Sequence, residues 1–251
     1  MTRPLLRKAL GYVGALAALL LAWAALAWVV DSPALPGPAI AIETFFQQWP
    51  EIWPQILVSA WRVLAAMAIG TVLAVPVGLW LGRSPRADAI AAPIIFLTYP
   101  IPKVVFLPVL LVLLGLYDAP KIALIAIIVF FQILVTAHDA AKAVPEGSVL
   151  SVRSLGAKRL DIYRHVVVPA SMPDIFTALR IGTGTAIAVL FLAESIAETN
   201  GLGYYIVDAW GRIDYPAMFA GIIAMALLGV VLYEALDALE NWVTRWRKVT
   251  R

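Results

Sequence analysis

The 251-residue sequence contains no cysteine. Disulfides, thiolate metal sites and cysteine nucleophiles are thereby excluded. Its two histidines, His138 and His165, are too few for a histidine-rich metal centre. Charge is scarce as well, at 14% of residues, where an ordinary soluble domain carries about a quarter. No G-x-x-x-x-G-K-[ST] phosphate loop occurs, so this chain does not hold ATP in the P-loop manner. There is no H-E-x-x-H, no G-x-S-x-G and no paired histidine-carboxylate spacing. Gly182-x-Gly184 and Gly201-x-Gly203 are lone pairs without a following strand and helix, and carry little information.

What the chain has in plenty is apolar side chain, 62% of residues. A soluble fold of this length cannot hide that much, so the excess faces lipid. The reading is an all-α polytopic membrane protein. A net charge of +3 could suggest nucleic acid, but the cations cluster beside apolar runs, where topology accounts for them better than phosphate does.

Taken in order, a basic lead carries Arg3, Arg7 and Lys8, and residues 9–30 then run without a charge, long enough to cross a bilayer. Ala25-Leu26-Ala27 mimics a cleavage site, yet the apolar stretch is longer than a signal peptide's and is expected to stay as an anchor. A proline-bearing interval to Gln55 carries Trp49 and Trp53, suited to the membrane interface. The second span is expected over residues 56–81, with Arg62 near its start snorkelling to the headgroups. Gly70, Ala74, Gly78 and Gly82 repeat a small residue every four, a spacing that permits close helix approach. Residues 89–117 are too long for one simple helix. They are expected to break at Pro93, Pro100, Pro102 and Pro108, with Lys103 in the middle. Spans follow at 121–137, 174–195 and 216–236, separated by a polar interval from His138 to Pro173 and a short polar-aromatic piece from Tyr204 to Tyr215. Six spans put both termini on one side. With that side cytoplasmic, it collects Arg83, Arg86, Lys142, Arg153, Lys158, Arg159, Arg164 and the terminal cations, leaving little but Lys121 and Arg212 outside.

The polar run Ser154 to Arg180 organises the rest. It reads as a short amphipathic helix and loop, with Leu155, Leu160 and Ile162 as apolar contacts. Pro169 and Pro173 are expected to stop a regular helix from running on into the next span. Three charges near or within spans stand out. Arg180 either snorkels or faces a water-filled path, and Glu194 either marks the water boundary or pairs and gates helices. Lys103 either anchors at the interface or pairs with carbonyls that the surrounding prolines free.

The run also resembles the coupling loop of permease subunits of ATP-binding-cassette (ABC) importers. That family's loop reads roughly E-A-A-x-x-x-G, about nine residues, then I-x-L-P. Gly156 fills the glycine and Val166-Val167-Val168-Pro169 the end, while Leu150-Ser151-Val152 replace E-A-A. Ser59 to Leu64, Ile101 to Leu110 and Ala193-Glu194 with Gly201 to Tyr204 behind resemble the nitrate, sulfonate and taurine branch.

The resemblance implies six transmembrane helices in the type I (MetI-like) fold. It divides the chain into an anchor and interfacial segment over 1–55, a permease core over 56–240 with a coupling loop near 139–173, and a basic tail over 241–251. It implies an ATPase-coupling segment at Val152, Arg153, Ser154, Leu155, Gly156, Ala157, Lys158 and Arg159, where a bare Gly156 lets a partner backbone approach. Lys103, Arg180 and Glu194 are the candidates for a translocation path or gate. No cofactor is expected in this chain, ATP and magnesium being held by a separate ATPase. The implied partners are two ATPase subunits, a second permease copy forming a homodimer, a periplasmic or lipid-anchored substrate-binding protein and the bilayer, with no nucleic acid. The expected location is the bacterial inner membrane, and the expected cargo a small anion. The alternatives are import of a heterocyclic vitamin precursor and, from another class, an intramembrane enzyme using Glu194, Arg180 or Lys103.

Overall fold

The computed structural model describes residues 3–196 and 199–248, and side chains from residue 11 to residue 246 within them. Arg251 and the side chains of Arg3, Arg7, Lys8, Arg247 and Lys248 lie outside the described residues. Eleven α-helices follow one another: α1 (Arg3–Val30), α2 (Pro38–Gln47), α3 (Trp49–Gly82), α4 (Pro85–Thr98), α5 (Leu107–Leu114), α6 (Asp118–Lys142), α7 (Glu146–Ser154), α8 (Arg159–Ile162), α9 (Val168–Glu194), α10 (Leu202–Gly211) and α11 (Tyr215–Val243). No strand occurs among the described residues.

Five helical stretches are long and apolar enough to cross a membrane. A bent pair, Pro85–Thr98 with Lys103–Leu114, supplies the sixth crossing with an angle of 81° between its halves. The break falls at Pro100 and Pro102. Pro93 lies inside α4 without ending it, and Pro108 sits in the first turn of α5, where a missing N–H costs nothing. The expected discontinuity near Lys103 is therefore present, made by two of the four prolines.

The centre of the bundle is the pairing of α3 with α6, with α9 against both. The small residues of α3 face α6 directly. A Cβ on Gly78 would lie 2.7 Å from the Leu134 carbonyl oxygen and 2.8 Å from the Ala137 Cβ, and one on Gly70 3.1 Å from the Ala126 oxygen. Glycine is required there because backbones meet without an intervening side-chain layer. α1 stands at the periphery with none of its apolar window buried, touching the body through Trp23 stacked on Phe219 at 5.4 Å. Trp28, Phe96 and Val112 are 82%, 79% and 85% exposed, an outward apolar surface that only lipid or another membrane subunit can cover.

The polar interval is shorter than its sequence suggests. α6 continues to Lys142, α9 starts at Val168, and residues 159–194 form one continuous helical stretch through both prolines. Pro169 occupies the first turn of α9, where its absent N–H is tolerated, and the wider π-helical turn Tyr163–Val167 makes room before it. The expectation that Pro169 and Pro173 interrupt the entry to this span is thus corrected.

Candidate functional site

Polar chemistry gathers at three levels of the bundle. At the end away from Arg83, α3, α6 and α9 meet around Arg62, which is 1% exposed. Its Nη1 donates to Glu194 Oε1 at 2.8 Å and to the Asn200 carbonyl at 3.1 Å. Its Nε donates to Asp118 Oδ1 at 2.8 Å, and Nη2 to Asn200 Oδ1 at 2.5 Å. Glu194 is fully buried. Ser59 Oγ lies 2.9 Å from each of its oxygens, and the Gly203 N–H donates to Oε2 at 2.9 Å. The Leu202 N–H donates in turn to Ser59 Oγ at 2.8 Å, and the Gly201 N–H to Gln55 Oε1 at 2.6 Å. Gly201 has φ +102°, and a Cβ on Gly203 would lie 2.6 Å from the Glu194 Cβ. These glycines let the backbone close over the carboxylate.

One expectation changes here, for Arg62, and one of the two readings of Glu194 is selected. Arg62 does not snorkel: its guanidinium is held inside the bundle because two carboxylates and an asparagine satisfy its donors. Glu194 does not mark a water boundary, because it is the buried counter-charge that pairs α9 with α3. Sequence reasoning missed Asp118 and Glu194 as partners of Arg62, since they lie 56 and 132 positions from it along the chain. The glycines crowding behind Glu194 were the available signal that backbone folds over that carboxylate.

At mid-depth, the break between α4 and α5 opens a cavity of about 360 Å³ lined by Tyr99, Lys103, Phe131, Gln132, Thr185 and Val189, among others. Lys103 Nζ donates to the carbonyls of Thr98 (3.1 Å), Tyr99 (2.8 Å) and Ile101 (3.3 Å) at the proline break. It also stands 4.5 Å from the centre of the Phe131 ring. Of the two readings of Lys103, the carbonyl-pairing one describes what the structure shows.

Arg180 lies one helix face away, on the rim of an open apolar groove of about 910 Å³ between α9 and α11. It is neutralised by Asp237 at 2.8 Å and Glu240 at 2.6 Å, so its charge is spent on α9–α11 pairing. Lys103, Arg180 and Glu194 are therefore not one constellation: they occupy three separate places.

At the basic end, α7 projects between α6 and α9. Arg83 pairs with Glu146 at 3.0 Å, and Lys142 and His138 each reach Asp88 at 3.0 Å. Val152 to Ser154 finish α7, Leu155 to Lys158 form a turn, and Arg159 begins α8. Gly156 has φ +84° and an added Cβ would meet nothing within 4 Å, so the glycine is first of all a conformational requirement of this turn. Val149 and Ile162 are buried, but Leu155 and Leu160 are 86% and 77% exposed. They are thus not internal contacts of the amphipathic helix, as expected from sequence; only Ile162 is.

The family profile described as "Binding-protein-dependent transport system inner membrane component" matches residues 74–245. Among curated relatives, the taurine transport system permease protein TauC of Escherichia coli (strain K12) is 32% identical, over 97% of this chain and 92% of its own length. The putative aliphatic sulfonates transport permease protein SsuC of Bacillus subtilis (strain 168) is 27% identical, over 87% of this chain and 80% of its own. Among solved structures, an inward-facing conformation of the MetNI methionine ABC transporter contains a chain that superposes with a TM-score of 0.64 at 21% identity. That match covers 78% of this chain and 98% of the other, a likeness of fold.

Proposed function

The chain belongs to the family of binding-protein-dependent transport system inner membrane components, and from that premise we propose that it passes an organic sulfonate of the taurine class across the membrane. It is the permease subunit of an ABC importer, a multi-pass membrane protein that works with an ATPase and a substrate-binding protein. The taurine and aliphatic-sulfonate permeases among its relatives support the cargo. An uncompensated cation at mid-depth favours an anionic group over a neutral heterocycle.

Two copies of the chain form the path, each meeting one of two ATPase subunits that bind ATP and magnesium. Both termini lie in the cytoplasm, in keeping with the cation asymmetry. The observation that carries the coupling assignment is the turn after α7. Leu155 and Leu160 stand out from the bundle at its basic end, uncovered by the rest of this chain. Exposed leucines rimmed by Arg153, Lys158 and Arg159 form a docking surface for a soluble partner, with apolar contacts at the centre and charges around it.

The test is uptake by the whole complex in proteoliposomes with its ATPase and binding protein. Radiolabelled taurine should enter only with ATP and the binding protein. Hydrolysis without entry of taurine or any alkanesulfonate refutes the cargo. Co-purification of the ATPase unaffected by Leu155→Asp refutes the docking surface.

A further inference from the structure

Four cations, Arg62, Lys103, Lys121 and Arg180, lie within the apolar runs 56–81, 89–117, 121–137 and 174–195, and three are accounted for inside the fold. Arg62 is met by Glu194 and Asp118, and Arg180 by Asp237 and Glu240. Lys121 is fully buried, with its ammonium on the Leu116 and Tyr117 carbonyls. Lys103 differs from all of these. It is half-buried, it lines a cavity, and among the described residues no carboxylate stands within ion-pair distance of it. Its three carbonyl partners fix the ammonium in place and leave its formal charge uncancelled. An uncancelled charge at membrane depth is costly, and it persists where it faces a partner or a water-filled path.

The cavity around it has further unspent polarity. Gln132 Nε2 donates to Thr185 Oγ1 at 3.1 Å, and Gln132 Oε1 is buried without a partner. Nε2 keeps its second proton to give, while the unmet Oε1 is an acceptor and has nothing to offer an anion. The Thr185 hydroxyl, accepting from Gln132, still has its proton to give. Three helical elements thus bring a cation, an amide and a hydroxyl to one place beside the Phe131 and Tyr99 rings. The volume of about 360 Å³ is at the small end of the range for ligand sites.

Depth decides the class of occupant. Gln132 lies 10 residues from the Lys142 end of α6 and 14 from the Asp118 end, so about 15 Å and 21 Å from its two ends. A lipid phosphate stays at the surface and does not reach that level.

We propose that this cavity is the seat of the substrate's sulfonate group midway along its path, with Lys103 supplying the charge and Thr185 and Gln132 the neutral hydrogen bonds. The proposal rests on the sulfonate reading above and adds the residues that recognise the anion. The three N–H groups of Lys103 are already engaged, so the anion is drawn mainly by field and by two neutral groups. That makes a loose seat, suited to a group that must leave as readily as it enters.

The experiment is the complete transporter in proteoliposomes, scored as taurine taken up per ATP hydrolysed. Lys103→Gln should lower that ratio about tenfold while hydrolysis stimulated by the loaded binding protein continues. Lys103→Arg should restore much of it, because the charge returns. Thr185→Val lies on a different helix from the bend and leaves the lysine staple intact, and should lower the ratio about threefold. Isethionate, which keeps the sulfonate and lacks the amine, should respond to Lys103→Gln as taurine does. An unchanged ratio in Lys103→Gln overturns the proposal. So does a parallel loss of uptake and hydrolysis in Lys103→Gln with Thr185→Val at the wild-type level, since that marks the lysine as a staple of the bend alone. Failure of the unmutated complex to move any sulfonate removes the cargo reading, and the seat with it.

Discussion

Replacing Arg62 by glutamine should be among the most damaging single changes in the chain, and the structure says why. The guanidinium is 1% exposed and spans Asp118, Glu194 and Asn200. The Asp118 side chain is 44% exposed, so water takes over when the arginine leaves, and that half of the interaction contributes at most about 1 kcal/mol. Glu194 is 0% exposed and has no such recourse. It keeps only neutral donors, Ser59 Oγ and the Gly203 N–H. Removing one partner of a buried pair costs roughly 3–5 kcal/mol, because an unpaired charge is left inside. Glu194→Gln should cost less, about 1–3 kcal/mol, since Arg62 retains Asp118 and Asn200. The double variant should be more stable than Arg62→Gln alone, because the stranded carboxylate is then gone. Unfolding in mixed micelles, followed by the fluorescence of the nine tryptophans, measures all three. A cost under about 1 kcal/mol for Arg62→Gln, or a double variant equal to the sum of the singles, would refute this account.

Gly78→Leu should destabilise the bundle by at least about 1–3 kcal/mol, since its side chain runs into the Leu134 carbonyl and Ala137; the same change at Gly184, where an added Cβ meets nothing within 4 Å, should be mild, and thermal unfolding compares them. The absence of cysteine makes topology easy to read. Cysteines introduced at Ala34 and Arg212 should react with an impermeant maleimide in intact cells and one at Ser148 only after permeabilisation; labelling of Ser148 in sealed cells reverses the orientation. Gly156→Trp should weaken recovery of the ATPase with the complex, because φ +84° costs a side-chain-bearing residue about 1–2 kcal/mol and the turn that presents Leu155 shifts. Lys158→Ala at the rim should change recovery little. Equal recovery for all variants would detach this turn from coupling.

The parts of the fold legible in the sequence were those written in local pattern. Long apolar runs gave the spans, Pro100 and Pro102 gave the break, and the four-residue spacing of glycines on α3 marked the face that meets α6. Misreadings arose where a residue's meaning depends on a distant partner. Arg62 near the end of an apolar run looks like a snorkelling cation until Glu194, 132 positions away, is brought to it. Leu155 and Leu160 are apolar residues in a polar run and read as internal contacts, yet both stand exposed on either side of the turn at Gly156. Pro169 and Pro173 look like terminators, but Pro169 sits in the first turn of α9, where a proline removes no bond that the helix was making, and the helix runs on through Pro173. Local pattern cannot tell a helix start from a helix stop when the preceding turn widens to admit the ring.

The two ends of the bundle are built for different amounts of movement, and this bears on how a push could travel. At one end α3, α6, α9 and the 200–203 loop are joined by buried charge and by backbone N–H groups aimed at Glu194, contacts that are strong because water is excluded. At the other end α3 and α6 stay locked by the backbone contacts at Gly78 and Gly82, whereas α4 and α7 are tied to them largely by ion pairs such as Arg83–Glu146 and Lys142–Asp88, in which Glu146 and Lys142 are 68% and 62% exposed. Such pairs contribute little and rearrange easily. Under the coupling proposed above, a push at the α7 turn would swing α4 and α7 first and leave the Arg62–Glu194 end as the pivot. The Lys103 cavity, bounded by the break of α4 and α5 and by the middle of α6 and α9, lies between pivot and push. Its walls belong to separate helices, one of them already divided, and a swing of that kind changes its width without breaking a regular hydrogen-bonded turn.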